Sequence, residues 1–315
     1  MRKNLDVSLN EFVCQICSGT KQKMVFKGSD QFHEIPGEFY VYECENCHLF
    51  TTHPILSSDE IEKFYPEDYL CYLPAIEDET NLFRKIDRSF SQKKRINIIQ
   101  KKPKGKGRIL DIGCATGIDL SGLQKEGWEC FGVEPNSMAA EYARERFGLN
   151  VINGYLEDIK FQDNYFDLVT IFDVLEHVPN PISFVSEVHR ILKPSGWLIA
   201  TLPNSDALER HIFGKYWLGW DIPRHYRTFN PKNIKAFLST RNFHNIHVFS
   251  FTGRHGAFMM SLRFWLKSEK NNRLDGKLME FIFGSFVLRI IMLPLFLLLE
   301  KINKSTIMSF YAQKK

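Results

Sequence analysis

Short apolar runs alternate with stretches of helical spacing through the middle of the chain. Five runs have the length and composition of buried strands: residues 108–112, 129–133, 151–153, 166–172 and 196–202. Three segments between them space their apolar residues as amphipathic helices do: residues 119–126, 137–147 and 180–192. Strands that alternate with helices build a parallel sheet covered by helices on both faces. The pattern therefore predicts an α/β domain with a ligand site at the carboxyl ends of its strands.

The pattern changes on either side of this region. The basic stretch 101–107 contains glycine and proline and has the composition of a linker. Further strands are predicted at 245–252 and 306–312, and an apolar helical segment separates them. Three parts are therefore expected: an N-terminal module at residues 1–55, a helical linker or cap at 56–107, and a main domain at 108–315 with a helical insertion at 254–304.

The composition is that of an ordinary globular protein, because 44% of the 315 residues are hydrophobic and 25% are charged. The net charge of +4 is well short of the clustered Lys and Arg excess that nucleic-acid binding needs, so we expect no nucleic-acid partner. The N-terminal residues show no apolar run that leads to a small-residue cleavage site, as a secretory signal would. We therefore expect a cytoplasmic protein.

Four of the seven cysteines fall in two Cys-x-x-Cys pairs, Cys14 with Cys17 and Cys44 with Cys47. Each pair places two thiolates on one tight turn, and the alternating residues 38–43 predict a strand that leads into the second pair. An odd number of cysteines in this pattern indicates metal binding in a reducing compartment rather than disulfides. Four sulfurs complete the tetrahedral coordination of Zn²⁺ and leave no position for a catalytic water. The sequence therefore predicts a structural zinc in a ribbon-like module.

A glycine-containing turn at 111–117 follows the first strand of the main domain and opens a helix. Its glycines permit a tight turn at which a ligand approaches the backbone closely. Glu134 ends the next strand, where a carboxylate accepts hydrogen bonds from both hydroxyls of a ribose. A dinucleotide fold shares these features, but its pyrophosphate would lie close to the Asp111 carboxylate, which would repel it. The positive sulfonium of S-adenosylmethionine is instead attracted by Asp111, which favours that cofactor over NAD.

Four motifs occur in order: Ile109-Leu-Asp-Ile-Gly-Cys-Ala-Thr-Gly117, Gly132-Val-Glu134-Pro135, the run from Phe166 to Val178, and the run from Ile191 to Leu198. Together they resemble the class I S-adenosylmethionine-dependent methyltransferases over residues 108–204. The resemblance implies a Rossmann-like, seven-stranded sheet whose last two strands normally form a hairpin. The insertion at 254–304 would then extend from the acceptor end or the edge of that domain.

The resemblance also implies a set of cofactor-binding positions: Asp111, Gly113, Ala115, Gly117, Glu134, Leu156 and Asp173. The first two would hold the methionine part of S-adenosylmethionine, Glu134 its ribose, and the backbone around Leu156 its adenine. The sequence departs from the family's pattern at two places. Ala115 stands where a second glycine is usual, and Tyr155 stands where an acidic residue often contacts the adenine.

Methyl transfer is an in-line displacement, so catalysis depends largely on holding the acceptor at attack distance. A hydroxyl or carbon acceptor also needs a general base, and histidine titrates in the right range. The candidate catalytic residues are His225, His177 and Asp173. Asp173 and His177 would border the reactive methyl, and the alternative for His177 is a purely structural role.

An aromatic and basic stretch at 216–229 follows the fifth strand. Its segment Trp220-Asp-Ile-Pro-Arg-His225 is similar to segments of methyltransferases of surface-polysaccharide and cofactor biosynthesis. Within the stretch, Trp217 and Trp220 would stack on a ring of the acceptor. Arg224 would clamp a phosphate or carboxylate bidentately, and His225 would face the acceptor. The alternative is a loop that packs its aromatic side chains onto the edge of the sheet.

Residues 281–299 are strongly apolar but contain Arg289 and Pro294. A central arginine makes insertion across a bilayer costly, and the uncharged run after it is too short to span one. Two interpretations remain: a helix buried on the domain or on a second copy in a homo-oligomer, or an in-plane anchor at the inner face of the membrane. The basic residues around the run suit an anionic lipid surface: Arg263, Lys267, Lys270, Arg273, Lys277, Lys301 and Lys304.

The sequence therefore predicts an S-adenosylmethionine-dependent methyltransferase that acts on oxygen or carbon of a small-molecule acceptor. A nucleotide-linked or lipid-linked sugar of surface-polysaccharide biosynthesis is the first interpretation of that acceptor. A prenylated aromatic, as in ubiquinone biosynthesis, is the second. An interpretation of a different class is a non-catalytic interaction protein built on the zinc ribbon.

Overall fold

The computed structural model describes residues 12–65, 72–103, 105–250, 254–268 and 286–315. The strands, in chain order, are β1 (Gln22–Gly28), β2 (Phe39–Cys44), β3 (Phe50–His53), β4 (Arg108–Ile112), β5 (Glu129–Glu134), β6 (Asn150–Asn153), β7 (Phe166–Phe172), β8 (Leu192–Pro203), β9 (Arg227–Thr228), β10 (Phe243–Ser250) and β11 (Ile307–Lys314). The α-helices are α1 (Ser58–Glu62), α2 (Leu82–Ile99), α3 (Ile118–Lys125), α4 (Ser137–Phe147), α5 (Pro181–Ile191), α6 (Leu208–Phe213), α7 (Pro231–Ser239), α8 (Arg254–Ser268) and α9 (Phe286–Lys301).

The chain forms two compact units, and each is built from three separate segments. The ribbon unit comprises Met1–Phe64, Pro203–Phe237 and Ser250–Met308. The sheet unit comprises Tyr65–Leu202, Leu238–Phe249 and Ser309–Lys315. The domain boundaries expected after residues 55 and 107 stay predictions.

The sheet unit is organised around a seven-stranded sheet of order β10-β11-β8-β7-β4-β5-β6. β4 pairs in parallel with β5 and with β7, and the pairs β5-β6 and β7-β8 are parallel as well. This arrangement confirms the predicted α/β fold, and β10 and β11 lie side by side as expected of the last two strands. The strand order reverses at β4, so the carboxyl end of β4 is the switch point at which such sheets bind ligands.

Local sequence explains where the elements of the sheet unit begin and end. β4 and β7 bury Ile109, Leu110 and Leu168 completely, as is typical of parallel strands with helices on both faces. α4 begins at an asparagine cap, because the Asn136 side chain accepts a hydrogen bond from the Ala139 N–H at 2.9 Å. The bounds predicted for β4, β7 and α4 are therefore confirmed. β8 starts earlier than predicted, because Leu192 pairs with Phe166 and the register between β7 and β8 shifts before Leu168 pairs with Trp197.

The ribbon unit carries a four-stranded sheet of order β1-β2-β3-β9 whose neighbours are antiparallel. The predicted strand before the second cysteine pair is β2. Ser57 caps the N-terminus of α1 and forms a capping box with Glu60. The apolar core of the unit consists of Phe39, Val41, Phe50, Phe64, Ala207, Phe213, Trp217, Trp220 and Ile222. The aromatic rings meet edge to face, with centroids 5.1 Å apart for Phe50 and Trp220. Residues from distant parts of the chain therefore share one core.

The predicted insertion contributes α8 and α9 to the ribbon unit, where the rings of Phe258 and Phe296 join the two helices. Among the helices that the structure describes, none combines the length and the apolar character needed to cross a bilayer. Residues 281–285 of the predicted apolar run lie outside the described residues, as do three of the predicted basic positions, Lys270, Arg273 and Lys277.

Candidate active site and cysteine cluster

The turn after β4 adopts a backbone that requires glycine at two positions. Gly113 and Gly117 have φ angles of 74° and 75°, in the left-handed region. A Cβ on Gly113 would lie 2.6 Å from Cγ2 of Val174, and one on Gly117 would lie 2.6 Å from Cδ1 of Leu149. Ala115 adopts a φ of 46°, which costs an alanine roughly 1 kcal/mol. The turn therefore presents bare backbone where the predicted cofactor would approach.

The Glu134 side chain, at the end of β5, is hydrogen-bonded to this turn. Its Oε2 accepts a hydrogen bond from the Ala115 N–H at 2.9 Å, and its Oε1 accepts one from the Asn136 N–H at 2.9 Å. A carboxylate has about four acceptor positions, so each oxygen retains capacity for a ribose hydroxyl. Burial raises the pKa of Glu134, although the two backbone N–H groups oppose the shift. The residue is thus held in place before any ligand arrives.

Asp111 opens the turn, and its side chain is buried. Its Oδ1 accepts a hydrogen bond from the Thr170 hydroxyl at 2.7 Å. Burial raises the pKa of Asp111 to about 7, against the opposing effect of that hydrogen bond. A carboxylate in such surroundings attracts positive charge, so the position fits the sulfonium and ammonium groups of S-adenosylmethionine.

Asp173 and His177 follow the end of β7, at the same edge of the sheet. Asp173 has a φ of 56°, and its Oδ1 accepts a hydrogen bond from the Thr201 hydroxyl at 3.0 Å. Nδ1 of His177 lies 3.0 Å from the hydroxyl of Tyr65. Sequence reasoning missed Tyr65, because 112 residues separate it from its partner and no local pattern marks the pair. The histidine is therefore oriented by a phenol in the same unit.

The predicted adenine position follows β6, and a cavity opens beside the glycine turn and α4. Leu156 begins a short 3₁₀ turn and buries its side chain, while Tyr155 is exposed. The cavity of about 210 Å³ opens beside Asn136 and Thr116, and Tyr72 and Pro74 also line it. The segment 72–75 is fastened by the Thr116 hydroxyl, which donates to the Leu73 carbonyl at 2.6 Å. Residues before β4 therefore pack against the glycine turn.

The aromatic and basic stretch at 216–229 lies in the interior of the ribbon unit. Trp217 and Trp220 are both core residues. The Arg224 side chain has no exposed surface, and its guanidinium pairs with Asp221 at 2.6 Å and Asp30 at 2.9 Å. An acceptor role for Trp217, Trp220 and Arg224 stays an untested prediction, and these positions favour the packing alternative.

His225 differs from its neighbours in this stretch. Its Nδ1 lies 2.9 Å from the Gly219 carbonyl, and its Nε2 lies 3.9 Å from Oδ2 of Asp221. Because a carbonyl only accepts hydrogen bonds, Nδ1 carries the proton, and Nε2 is the basic nitrogen of the neutral ring. His225 therefore stays a candidate base.

The buried Arg224 cluster yields a stability prediction. Arg224→Ala leaves Asp30 and Asp221 without their shared cation, and such a break costs about 3–5 kcal/mol. Urea denaturation followed by tryptophan fluorescence should show a lower midpoint with unchanged slope. Arg263→Ala, at an exposed position of the same unit, is the control and should shift the midpoint little. Equal midpoints for the two variants would show that the cluster adds no stability.

The two Cys-x-x-Cys turns have matching backbones. The Cys14 carbonyl accepts from the Ser18 N–H at 2.8 Å, and the Cys44 carbonyl accepts from the His48 N–H at 2.9 Å. Ser18 and His48, each directly after a pair, both adopt the left-handed conformation. Two turns of one form, facing each other, present four sulfurs to a common centre.

The spacing of the four sulfurs fits one tetrahedral ion. The Sγ atoms of Cys14 and Cys47 lie 3.7 Å apart, and those of Cys17 and Cys44 lie 3.6 Å apart. All four lie within 4.8 Å of one another. Tetrahedral zinc with Zn–S bonds of about 2.3 Å requires sulfurs about 3.8 Å apart. The cluster therefore has the dimensions of a zinc site with four cysteine ligands.

Comparison with known proteins supports the predicted family. The profile of a family described as "Methyltransferase domain" matches residues 80–248. Ubiquinone biosynthesis O-methyltransferase of Maricaulis maris is 35% identical over 144 residues, which are 42% of this chain and 56% of that protein. Its counterpart in Alkalilimnicola ehrlichii is 35% identical over 103 residues, which are 31% of this chain and 42% of that protein. The chain thus spans about half the length of the curated relatives it matches.

A solved structure supports the fold. Phosphoethanolamine N-methyltransferase 2 of Haemonchus contortus, solved with phosphomonomethylethanolamine and S-adenosylhomocysteine, superposes with a TM-score of 0.51 at 16% identity. The match covers 92% of this chain and 71% of that one. Because the family profile takes in more than half of the residues, including the glycine turn, Glu134 and Asp173, the chain belongs to the methyltransferase domain family.

Proposed function

We propose that the protein transfers the methyl group of S-adenosylmethionine to an oxygen or carbon atom of a small-molecule acceptor. One observation carries the proposal: the Glu134 carboxylate is hydrogen-bonded to the glycine turn that the buried Asp111 opens. Glu134 can accept hydrogen bonds from the hydroxyls of one ribose, and the buried Asp111 carboxylate attracts a positive sulfur. Both groups lie at the switch point of the sheet and suit S-adenosylmethionine. The same Asp111 disfavours the pyrophosphate of NAD.

When bound, S-adenosylmethionine supplies a methyl carbon already activated for displacement by its positive sulfur. The residues of the chain then have three tasks. Asp111 and Glu134 orient the cofactor, the segment 72–75 helps to exclude water, and Asp173 borders the reacting end. Holding two reactants in line removes most of the entropic part of the barrier.

An oxygen or carbon acceptor must also lose a proton, and His177 is the proposed base in the sheet unit. The Tyr65 hydroxyl at Nδ1 holds the imidazole ring in one orientation. His225 is the second candidate, through its Nε2. General-base catalysis contributes typically 10²–10⁴-fold, so substitution of the true base should lower kcat by that order.

The acceptor class rests on similarity. Resemblance of the segment 220–225 to methyltransferases of surface-polysaccharide biosynthesis supports a nucleotide-linked or lipid-linked sugar. The second candidate is a prenylated aromatic, and the names of the relatives from Maricaulis maris and Alkalilimnicola ehrlichii favour it. Incubation with methyl-labelled cofactor and each acceptor class separates the two, because label enters only the correct class. The third interpretation, a non-catalytic interaction protein, predicts no cofactor binding.

Cofactor binding is tested by calorimetry with Glu134→Ala. Loss of an ionised acceptor for two hydroxyls should weaken S-adenosylmethionine affinity by roughly 100-fold or more. Glu145→Ala removes an exposed carboxylate from α4 and is the matched control, with affinity expected to stay at the wild-type value. Glu134→Gln preserves the shape of the side chain, so it separates loss of charge from a folding defect. It should also bind S-adenosylmethionine weakly. Wild-type affinity in both Glu134 variants, or no binding by the wild type, would overturn the proposal.

We also assign a structural zinc to Cys14, Cys17, Cys44 and Cys47. The sulfur spacing and the paired turns support this assignment, and four thiolates leave no open coordination position. The ion would therefore hold the ribbon together rather than take part in methyl transfer.

A further inference from the structure

α9 exposes an unusual density of large apolar side chains. Between 42% and 68% of the surface of each of these residues is exposed: Ile290, Ile291, Leu293, Leu295, Leu297 and Leu298. Among the side chains of α9 that the structure describes, from residue 290 onward, Phe296 and Leu299 are the buried ones. Soluble monomers seldom expose contiguous apolar patches of this kind, and those that exist are usually interaction surfaces. Something other than water is therefore expected to cover α9.

α8 extends the same surface. Its Phe258 ring lies 5.9 Å from the Phe296 ring of α9, which fixes the two helices side by side. Trp265 is 40% exposed, and Arg263 and Lys267 are exposed on the same helix. An exposed tryptophan between basic residues is a combination found where proteins meet the headgroup layer of a bilayer.

The charge of the chain is distributed unevenly. Residues 254–304 contain nine Lys or Arg and four Asp or Glu, a formal charge of +5. Since the whole chain carries +4, the remaining 264 residues sum to −1. The apolar surface thus coincides with the segment that holds all of the positive charge excess. That segment suits an anionic partner, because each basic residue near an anionic lipid surface adds to the attraction.

A second copy of the chain is a poorer occupant. In a symmetric dimer the same patch meets itself, so two segments of charge +5 would face each other across the axis. No such repulsion arises against lipid. We propose that α8 and α9 form an interfacial anchor that lies in the plane of an anionic bilayer surface, with the exposed side chains of α9 at the acyl boundary. This inference goes beyond the proposed methyl transfer and does not depend on it.

Vesicle sedimentation with the full-length protein tests the anchor. Vesicles of phosphatidylcholine with about 30% phosphatidylglycerol should bind it at least roughly fivefold more tightly than phosphatidylcholine alone. Raising salt from about 0.05 to 0.5 M should weaken the binding. Ile291→Glu should weaken it roughly tenfold or more, because an exposed isoleucine that would enter the lipid is replaced by a charge. Brominated lipid should quench Trp265, and Trp265→Phe should lose that component.

The control is Ile86→Glu, which changes an isoleucine of α2 that is 58% exposed and should leave vesicle binding unchanged. Light scattering of each protein reports its oligomeric state. The proposal is overturned if wild-type protein binds neither vesicle, or if the two isoleucine variants lose binding equally. It is also overturned if Ile291→Glu converts a dimer to a monomer without affecting the vesicles, because a second copy would then cover the patch.

Discussion

Asp111→Asn is expected to abolish S-adenosylmethionine binding while making the cofactor-free protein more stable at neutral pH. The pKa of Asp111 is raised from an ordinary value of 3.8 to about 7 by burial. The folded state therefore binds the proton more tightly than the unfolded state, and folding stability falls as pH rises from about 4 to about 7. The loss amounts to at most roughly 4 kcal/mol above that window. Asparagine does not ionise, so it avoids the loss.

The affinity for the cofactor also depends on pH through Asp111, but in the opposite direction: it rises as the pH rises. Only ionised Asp111 attracts a sulfonium, so affinity should weaken by up to about tenfold for each pH unit below about 7. Calorimetry from about pH 6 to 8 measures this slope, and thermal unfolding without cofactor measures the stability effect. Glu145→Ala should retain both behaviours. Wild-type affinity in Asp111→Asn would show that charge attraction does not select the cofactor.

Removal of the proposed zinc ion is expected to unfold the ribbon unit. Binding of structural zinc contributes about 10–16 kcal/mol in small zinc modules, which is comparable to the whole stability of an ordinary domain. Cys14→Ser should therefore reduce zinc from one ion per chain to a small fraction and expose Trp217 and Trp220. Elemental analysis of purified protein and tryptophan emission report the two effects.

Cys130→Ala is the control for the metal. Cys130 is buried in β5 and does not belong to the cluster of four sulfurs, and burial raises the pKa of its thiol to about 12. Its variant should retain one zinc per chain. A metal-free wild-type protein with a normal thermal transition would refute the zinc assignment.

The sheet unit was largely predictable from sequence, for a physical reason. Its central strands β4 and β7 are mostly buried and rich in apolar residues, so they stand out locally. Asn136 and Gly148 mark the two ends of α4 just as directly. The glycine turn and Glu134 were predictable because a left-handed backbone and a strand-end carboxylate leave clear local signatures.

The ribbon unit was harder to predict, because distant residues complete it. β9 has two residues and no periodicity, and it is a strand only because it pairs with β3. An aromatic residue that stacks on a ligand looks the same in sequence as Trp217, which packs in a core. The burial of Arg224 depends on Asp30, 194 residues away, and no local pattern announces that partner.

The pairing of Arg224 with Asp30 limits which fragments of this protein can fold and which segments can recombine. A fragment that ends before residue 203 retains Asp30 and both cysteine turns but loses Arg224, β9 and the two tryptophans of the core. Such a fragment would hold a carboxylate in an apolar interior with no countercharge. Recombination therefore cannot transfer the N-terminal segment of the ribbon unit to another protein by itself. The N-terminal and central segments of the unit must be exchanged, or must evolve, together.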